Sequence, residues 1–304
     1  MGGWNHPVLG NDQWNESIVL YDLDCIDSLG SLEQGEIQRW STDHISGMTY
    51  REDTVFGDVF LTVGRTASLV TFPEGKVLWS TDSPGRNSHA AELLPGGNLI
   101  VANSSGDDFR LFFTSALLTS DRDSAATYVS YPFFHTHGVL WDPVYQCLWV
   151  LGAGELAAYR AVGEGVSQRL EPIPGKRWSI SEYGNGGHDL NPDPTDSRYL
   201  FCTPLHGVLR FDKQTGTFSR PYPAQAAIAT RHCKSFSCFP DGTFVYTSPA
   251  LREDPKWNDW WKKNWCTDRI VWLRVSPDGT FEEREIFSDQ GAFYKCKVFY
   301  GQYL

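Results

Sequence analysis

The 304-residue chain carries eight histidines, and five of them fall in or beside one recurring register. His89, His137 and His188 each lead a short apolar stretch, Lys234 leads another of the same grammar, and Lys295 leads the last. His135 and His232 stand two residues upstream of two of these positions, on the same face of an extended strand. Three arrangements suit such a set. Neutral imidazoles at His89, His137 and His188 can hold a divalent ion (manganese, calcium or zinc) and leave a position open for substrate. Alternatively, Lys234 and Lys295, with donors from His135, His232 and Arg51, can bind a carboxylate while a histidine or lysine of the set acts as base. In the third arrangement the polar side chains bond ordered water and do no chemistry. The two lysines and the lack of a carboxylate in the set weigh against a cation, and the three readings stay open.

Around this set lie weaker candidates. Glu92 and Asp189 follow two of the histidines closely enough to orient an imidazole or act as an acid, or they are ordinary strand carboxylates. Trp257, Trp260, Trp261 and Trp265 crowd one polar insert, residues 252–267. They suit a lid, a wall for stacking sugar rings, or a brace against the body of the protein. GxSxG, HExxH, Walker and dinucleotide-binding signatures do not occur in the sequence, so the chemistries they serve lose support.

The elements that must position these residues are repeats. His89-Ala-Ala-Glu-Leu-Leu-Pro95, His137-Gly-Val-Leu-Trp-Asp-Pro143, His188-Asp-Leu-Asn-Pro-Asp-Pro194 and Lys234-Ser-Phe-Ser-Cys-Phe-Pro240 share one pattern. Each has a polar lead, an apolar stretch and a proline turn, and each is followed by a second apolar stretch. A weaker copy begins at Met48, and Lys295 begins a first strand with no continuation. Third strands are predicted near Ser68–Phe72, Phe109–Phe113, Leu156–Arg160, Val208–Phe211 and Ile270–Arg274. Fourth strands follow near Lys76–Trp79 and Glu285–Phe287. Pro95-Gly-Gly97, Pro240-Asp-Gly242 and Pro277-Asp-Gly279 supply hairpin turns. Four short strands recurring every 40–50 residues or so are the mark of propeller blades.

Counting sets the blade number. Five full units and an orphan C-terminal strand leave one blade lacking three strands, and Pro7–Leu9, Ser17–Tyr21 and Glu36–Trp40 provide them. The sequence thus predicts an all-β, single-domain, six-bladed β-propeller over residues 1–304, closed by N- and C-terminal strands in one blade. Seven blades are the alternative if the 252–267 insert hides strands. First strands of a propeller line its channel, so His89, His137, His188, Lys234 and Lys295 are expected to point inward.

Composition narrows the partners. The formal net charge is −11, which argues against nucleic acid or an anionic membrane as partner and leaves an oligosaccharide or small acidic ligand. No apolar run approaches the roughly 18 residues of a spanning helix. Met1-Gly-Gly-Trp-Asn-His6 has neither the basic start nor the apolar core of a signal peptide, so a cytoplasmic location is expected, with a trimmed secretion signal as the alternative. Seven scattered cysteines without a CxxC pair fit reduced thiols.

Several stretches carry a resemblance. Ser88-His-Ala-Ala-Glu-Leu-Leu-Pro-Gly-Gly-Asn-Leu99, His137-Gly-Val-Leu-Trp-Asp142, Gly186-Gly-His-Asp-Leu190, Trp265-Cys-Thr-Asp268 and Phe293-Tyr-Lys295 resemble an uncharacterised bacterial β-propeller family. More distantly the chain is similar to propeller-type polysaccharide lyases such as oligogalacturonate lyases, whose channel histidines hold a metal. That similarity implies a carbohydrate-active enzyme acting on acidic, uronic-acid-containing oligosaccharides by β-elimination. A glycoside hydrolase or epimerase using the same residues, or a non-catalytic sugar- or protein-binding propeller, are the alternatives.

Overall fold

The computed structural model describes residues 4–220, 232–249, 265–276, 278 and 280–300. Within them the chain forms six four-stranded antiparallel sheets, the blades of a six-bladed β-propeller. One sheet joins both ends of the sequence. In it β1 (Pro7–Asp12), β2 (Ser17–Asp22) and β3 (Glu36–Ser41) follow, in spatial order, from β24 (Phe293–Val298). The next sheet is β4 (Ile45–Thr54), β5 (Gly57–Gly64), β6 (Ala67–Thr71) and β7 (Val77–Thr81). It is followed by β8 (Ser88–Leu93), β9 (Leu99–Asn103), β10 (Asp108–Phe112) and β11 (Tyr128–Pro132). The fourth comprises β12 (Gly138–Asp142), β13 (Cys147–Gly152), β14 (Glu155–Val162) and β15 (Arg169–Ser179). The fifth comprises β16 (Leu190–Pro192), β17 (Tyr199–Cys202), β18 (Leu209–Asp212) and β19 (Thr217–Ser219). The last comprises β20 (Ser235–Cys238), β21 (Phe244–Thr247), β22 (Arg269–Val275) and β23 (Phe281–Phe287).

The sheets fall into two compact units. One, residues 1–45 with 188–299, holds the sheets β24-β1-β2-β3, β16–β19 and β20–β23. The other, residues 46–187 with 300–304, holds β4–β7 (less Ile45), β8–β11 and β12–β15.

Local sequence explains the sheets. Inner and middle strands such as Leu99–Asn103 and Cys147–Gly152 are buried at every residue, whereas the outer strands β3 and β11 alternate with exposed positions. Strands covered on both faces need apolar residues throughout, while outer ones need them only on one. Aspartates close several hairpins through Asx turns. Asp12 Oδ1 accepts from the N–H groups of Trp14 and Asn15, Asp142 Oδ1 from Val144 and Tyr145, and Asp212 Oδ1 from Gln214 and Thr215. In the Pro95-Gly-Gly97 turn both glycines have positive φ, 89° and 94°, which a side chain would resist.

Aromatics fill the spaces between neighbouring sheets. Phe109, Phe133, Trp141 and Tyr159 lie between β8–β11 and β12–β15. Phe201, Phe236 and Phe244 lie between β16–β19 and β20–β23, and Tyr21, Val245, Ile270 and Phe293 between β20–β23 and the sheet of the two termini. Each such side chain contributes about 1.5–3 kcal/mol of burial free energy.

The blade count and the closure by both termini agree with the sequence reading, and six blades stand instead of seven. The sequence reading lacked the fourth strands β11, β15 and β19. Residues 252–264 of the tryptophan-rich insert, with Trp257, Trp260 and Trp261, lie outside the described residues, as do Pro277 and Gly279. The seven cysteines are free thiols. Among the described residues no helix is long and apolar enough to cross a membrane.

Candidate active site

Three inner strands of the first unit, β16, β20 and β24, pack side by side and carry the lead residues with them. His188 and Lys234 sit just ahead of β16 and β20. Their N–H groups extend each ladder by bonding Thr203 O at 2.8 Å and Thr247 O at 2.9 Å. Lys295 lies within β24 and its N–H bonds the side chain of Asn11 on β1. Backbone anchoring of this kind fixes where the side chains emerge. Lys234 and Lys295 are fully buried, and His188 is 7% exposed.

At the centre three nitrogens converge. Lys234 Nζ stands 3.2 Å from His188 Nε2 and 3.2 Å from His232 Nε2, and the two imidazole nitrogens are 2.7 Å apart. A contact that short between ring nitrogens needs one N–H and one lone pair, so the imidazole pair holds a single proton between its Nε2 atoms. Burial, reinforced by Lys234 and His206, pushes His232 down to about 4, so its ring is neutral at pH 7. Burial first, then Lys295, pulls Lys234 down to about 7. Among the described residues no carboxylate lies within ion-pair distance of Lys234. Its other neighbours include the Cys266 thiol, which opposes the downward shift, and two aromatic rings: the Trp265 indole is 4.4 Å from Nζ and the Tyr294 ring 5.9 Å away.

Lys295 has a different environment. Its Nζ donates to Asp189 Oδ1 at 3.1 Å and to His188 O at 2.8 Å. Lys297 Nζ reaches the same Asp189 oxygen at 3.4 Å. Burial would raise the Asp189 carboxyl, but the two ammonium groups and the Asn191 amide hold it below the ordinary range. Asp189 is therefore a fixed anion shared by two lysines; burial pulls the Lys295 amine below its ordinary value while Asp189 holds it up, and the cationic side chains outnumber the carboxylate beside the nitrogen cluster.

The second unit gathers the remaining candidates. The His89 and His137 rings stack with centroids 4.6 Å apart and planes at 18°, and the His135 ring lies 5.9 Å from that of His137. His137 Nδ1 donates to the His135 carbonyl at 2.8 Å, which fixes its tautomer. Arg51, a ligand-binding candidate from sequence, forms a buried two-pronged pair with Glu92: Nε to Oε1 at 2.9 Å and Nη2 to Oε2 at 2.5 Å. Glu92 also accepts from the N–H groups of Leu93 and Trp141. This joint between β4, β8 and β12 engages Arg51 in structure, and Glu92 orients no histidine. Asp189 likewise holds lysines rather than an imidazole.

Among the described residues no group of three or more His, Cys, Asp or Glu side chains is placed to hold a metal ion. The donor set that does converge, two imidazoles and an amine with a net positive charge behind them, suits an anion and proton transfer. His188, His232, Lys234 and Lys295, candidates from the sequence, are brought together by the fold. Sequence reasoning had no signal for the roles of Lys297 and Tyr294, and it met Trp265 only as one of four crowded tryptophans.

The chain belongs to DUF6528, a family of unknown function whose profile matches residues 54–265. No curated protein matches it. Among solved structures it is similar to a protein of unknown function from Bacteroides caccae, at 11% identity and a TM-score of 0.58, covering 97% of this chain and 99% of that one. It is also similar to virginiamycin B lyase from Staphylococcus aureus, at 11% identity and a TM-score of 0.53, covering 91% of this chain and 80% of that one. A functionally unknown protein from Desulfotomaculum acetoxidans matches at 9% identity and a TM-score of 0.54, covering 98% and 81%. Identities this low show a shared propeller fold and nothing about activity.

Proposed function

We propose that the chain is a carbon–oxygen lyase that binds a carboxylate-bearing substrate at His188, His232 and Lys234 and eliminates across the bond next to the carboxylate, with acidic, uronic-acid-containing oligosaccharides as the substrate class. The observation that carries this reading is the placement of Lys234: a buried amine bonded to two imidazoles and paired with no carboxylate among the described residues.

In a β-elimination the base removes the proton on the carbon beside the carboxylate. Its electron pair forms a double bond to the next carbon, and the C–O bond there breaks. The leaving oxygen then takes a proton. Lys234, about half of which is amine at pH 7 given its value near 7, is the base. The proton shared by His188 and His232 goes to the leaving oxygen, and Lys234 later returns its own to the imidazole pair. The carbanion's charge flows into the carboxylate, where the uncompensated charge of Lys295 and Lys297 stabilises it. In a chain of formal net charge −11, that local positive region also draws an anion to this place.

Ordinary glycoside hydrolysis needs a carboxyl acid and a second carboxylate. Asp189, the carboxylate of this cluster, is held by Lys295 and Lys297, which favours elimination over hydrolysis. The test is a panel of uronate oligosaccharides followed by the ultraviolet absorbance of the new conjugated double bond. Turnover lost in Lys234→Met supports the reading. Substrates that bind but are recovered unaltered throughout the panel reduce the site to a binding function.

A further inference from the structure

We infer that Lys234 is also a carbonyl-capturing amine, condensing with the aldehyde or ketone group of a small 2-oxo acid to form an imine. This deepens the reading above, since it rests on the same cluster and assigns it a second substrate class. Four features of the geometry carry it. Lys234 Nζ faces no carboxylate among the described residues, whereas Lys295 on the neighbouring inner strand is tied to Asp189. Two imidazole nitrogens stand 3.2 Å from Nζ, close enough to exchange protons with a carbinolamine formed there. The Trp265 face at 4.4 Å provides a cation–π partner for the iminium that results. Finally, Lys295 and Lys297 supply positive charge for the acid group of the ligand.

The steps balance. The Nζ lone pair attacks the carbonyl carbon, and the carbonyl oxygen takes the proton shared by His188 and His232. The nitrogen gives a proton back to that pair, the carbinolamine oxygen takes it in turn and leaves as water, and a proton from solvent, the one that the iminium formation consumes, restores the pair. The product is a protonated imine, and addition of water reverses every step. Reactivity follows from protonation: at pH 7 about half of Lys234 is amine, against roughly one part in several thousand of an ordinary lysine near 10.4.

The test is reduction with borohydride in the presence of pyruvate or glyoxylate, followed by intact mass and peptide mapping of the wild-type protein. The expected result is one adduct, on Lys234, at least about ten-fold above that on exposed Lys76 or on Lys297. Lys234→Arg is expected to lose it, and His188→Gln to slow its formation while leaving the site of attachment unchanged. No adduct, or labelling spread over lysines and unchanged in Lys234→Arg, overturns the inference. Because mapping is done on the wild-type chain, a variant that fails to fold does not blur the answer. Elimination without trapping leaves the lyase reading standing and removes this one, and trapping without elimination does the reverse.

Discussion

Lys234, just ahead of β20, and Lys295, within the adjacent inner strand β24, are neighbouring lysines, yet among the described residues only Lys295 has a carboxylate, the Asp189 oxygen 3.1 Å from its Nζ. Lys234 has the ring nitrogens of His188 and His232 instead. Two residues of one type in one register are thus divided into a structural cation and a proton-exchanging amine. The difference comes from what the neighbouring strand offers each of them.

The activity is expected to follow the amine. With elimination as the assay, kcat/KM rises with pH through about 7 as Lys234 loses its proton in the free enzyme. Lys234→Arg, which stays charged, should lower it by about 10²–10⁴-fold, the usual contribution of a positioned base. A pH profile flat from about 5.5 to 9 would remove Lys234 from that role.

Stability should rise with pH as well. Lys234 has a folded value below its unfolded one, so between about 7 and the ordinary lysine value near 10.5 the unfolded chain binds a proton that the folded chain lacks. Stability from this group therefore increases as pH rises across that window, and below about 7 the folded state carries the full penalty. Lys234→Met removes the penalty. Its unfolding midpoint at about pH 6 is expected to equal or exceed the wild type, by roughly 2–4 °C per kcal/mol gained, while activity is lost. A lower midpoint for the variant across the pH range contradicts this.

A second titration lies at the N-terminal strand. His6 Nδ1 is 2.9 Å from Asp24 and Nε2 3.0 Å from Asp241, which joins β1 to the β20–β21 turn. Burial alone would lower the imidazole, but the two carboxylates together raise it above its ordinary 6.5. Its contribution is complete below 6.5 and disappears as pH rises through the higher folded value. Because the carboxylates are partly exposed, the effect is modest, up to about 1 kcal/mol. His6→Gln should lower the melting temperature at about pH 5.5 and leave it nearly unchanged at about pH 8.5; equal losses at both would show that the contact is not ionic.

The Arg51–Glu92 pair gives a purely structural contrast. Arg51→Met leaves the fully enclosed Glu92 carboxylate without its partner, at an expected cost of about 3–5 kcal/mol. Denaturant unfolding measures this directly, and a loss under about 1 kcal/mol would mean that Glu92 is protonated or rehydrated in the variant.

The fold was legible because its signal is local. His89, His137, His188 and Lys234 each precede an apolar stretch by a fixed spacing from a proline turn, and the terminal fragments had no partner but each other. The outer strands were less visible, since Tyr128-Val-Ser-Tyr-Pro132 alternates with solvent and reads like a polar connection. Pairings were the hidden part. Arg51 and Glu92 are 41 residues apart and Asp189 and Lys295 are 106 apart, so one candidate ligand residue and one candidate catalytic carboxylate became structural partners only in three dimensions. Trp265 was seen as one of a crowd, and its place over an amine is a property of the folded chain rather than of its spacing.

Most directly tested is the protonation of Lys234, read by ¹³Cε NMR of lysine-labelled protein, with Lys234→Arg assigning the resonance. A midpoint near 7 is expected, shifted upward when a uronate binds and its carboxylate favours the ammonium form. A midpoint near the ordinary lysine value, unmoved by the uronate, would contradict it.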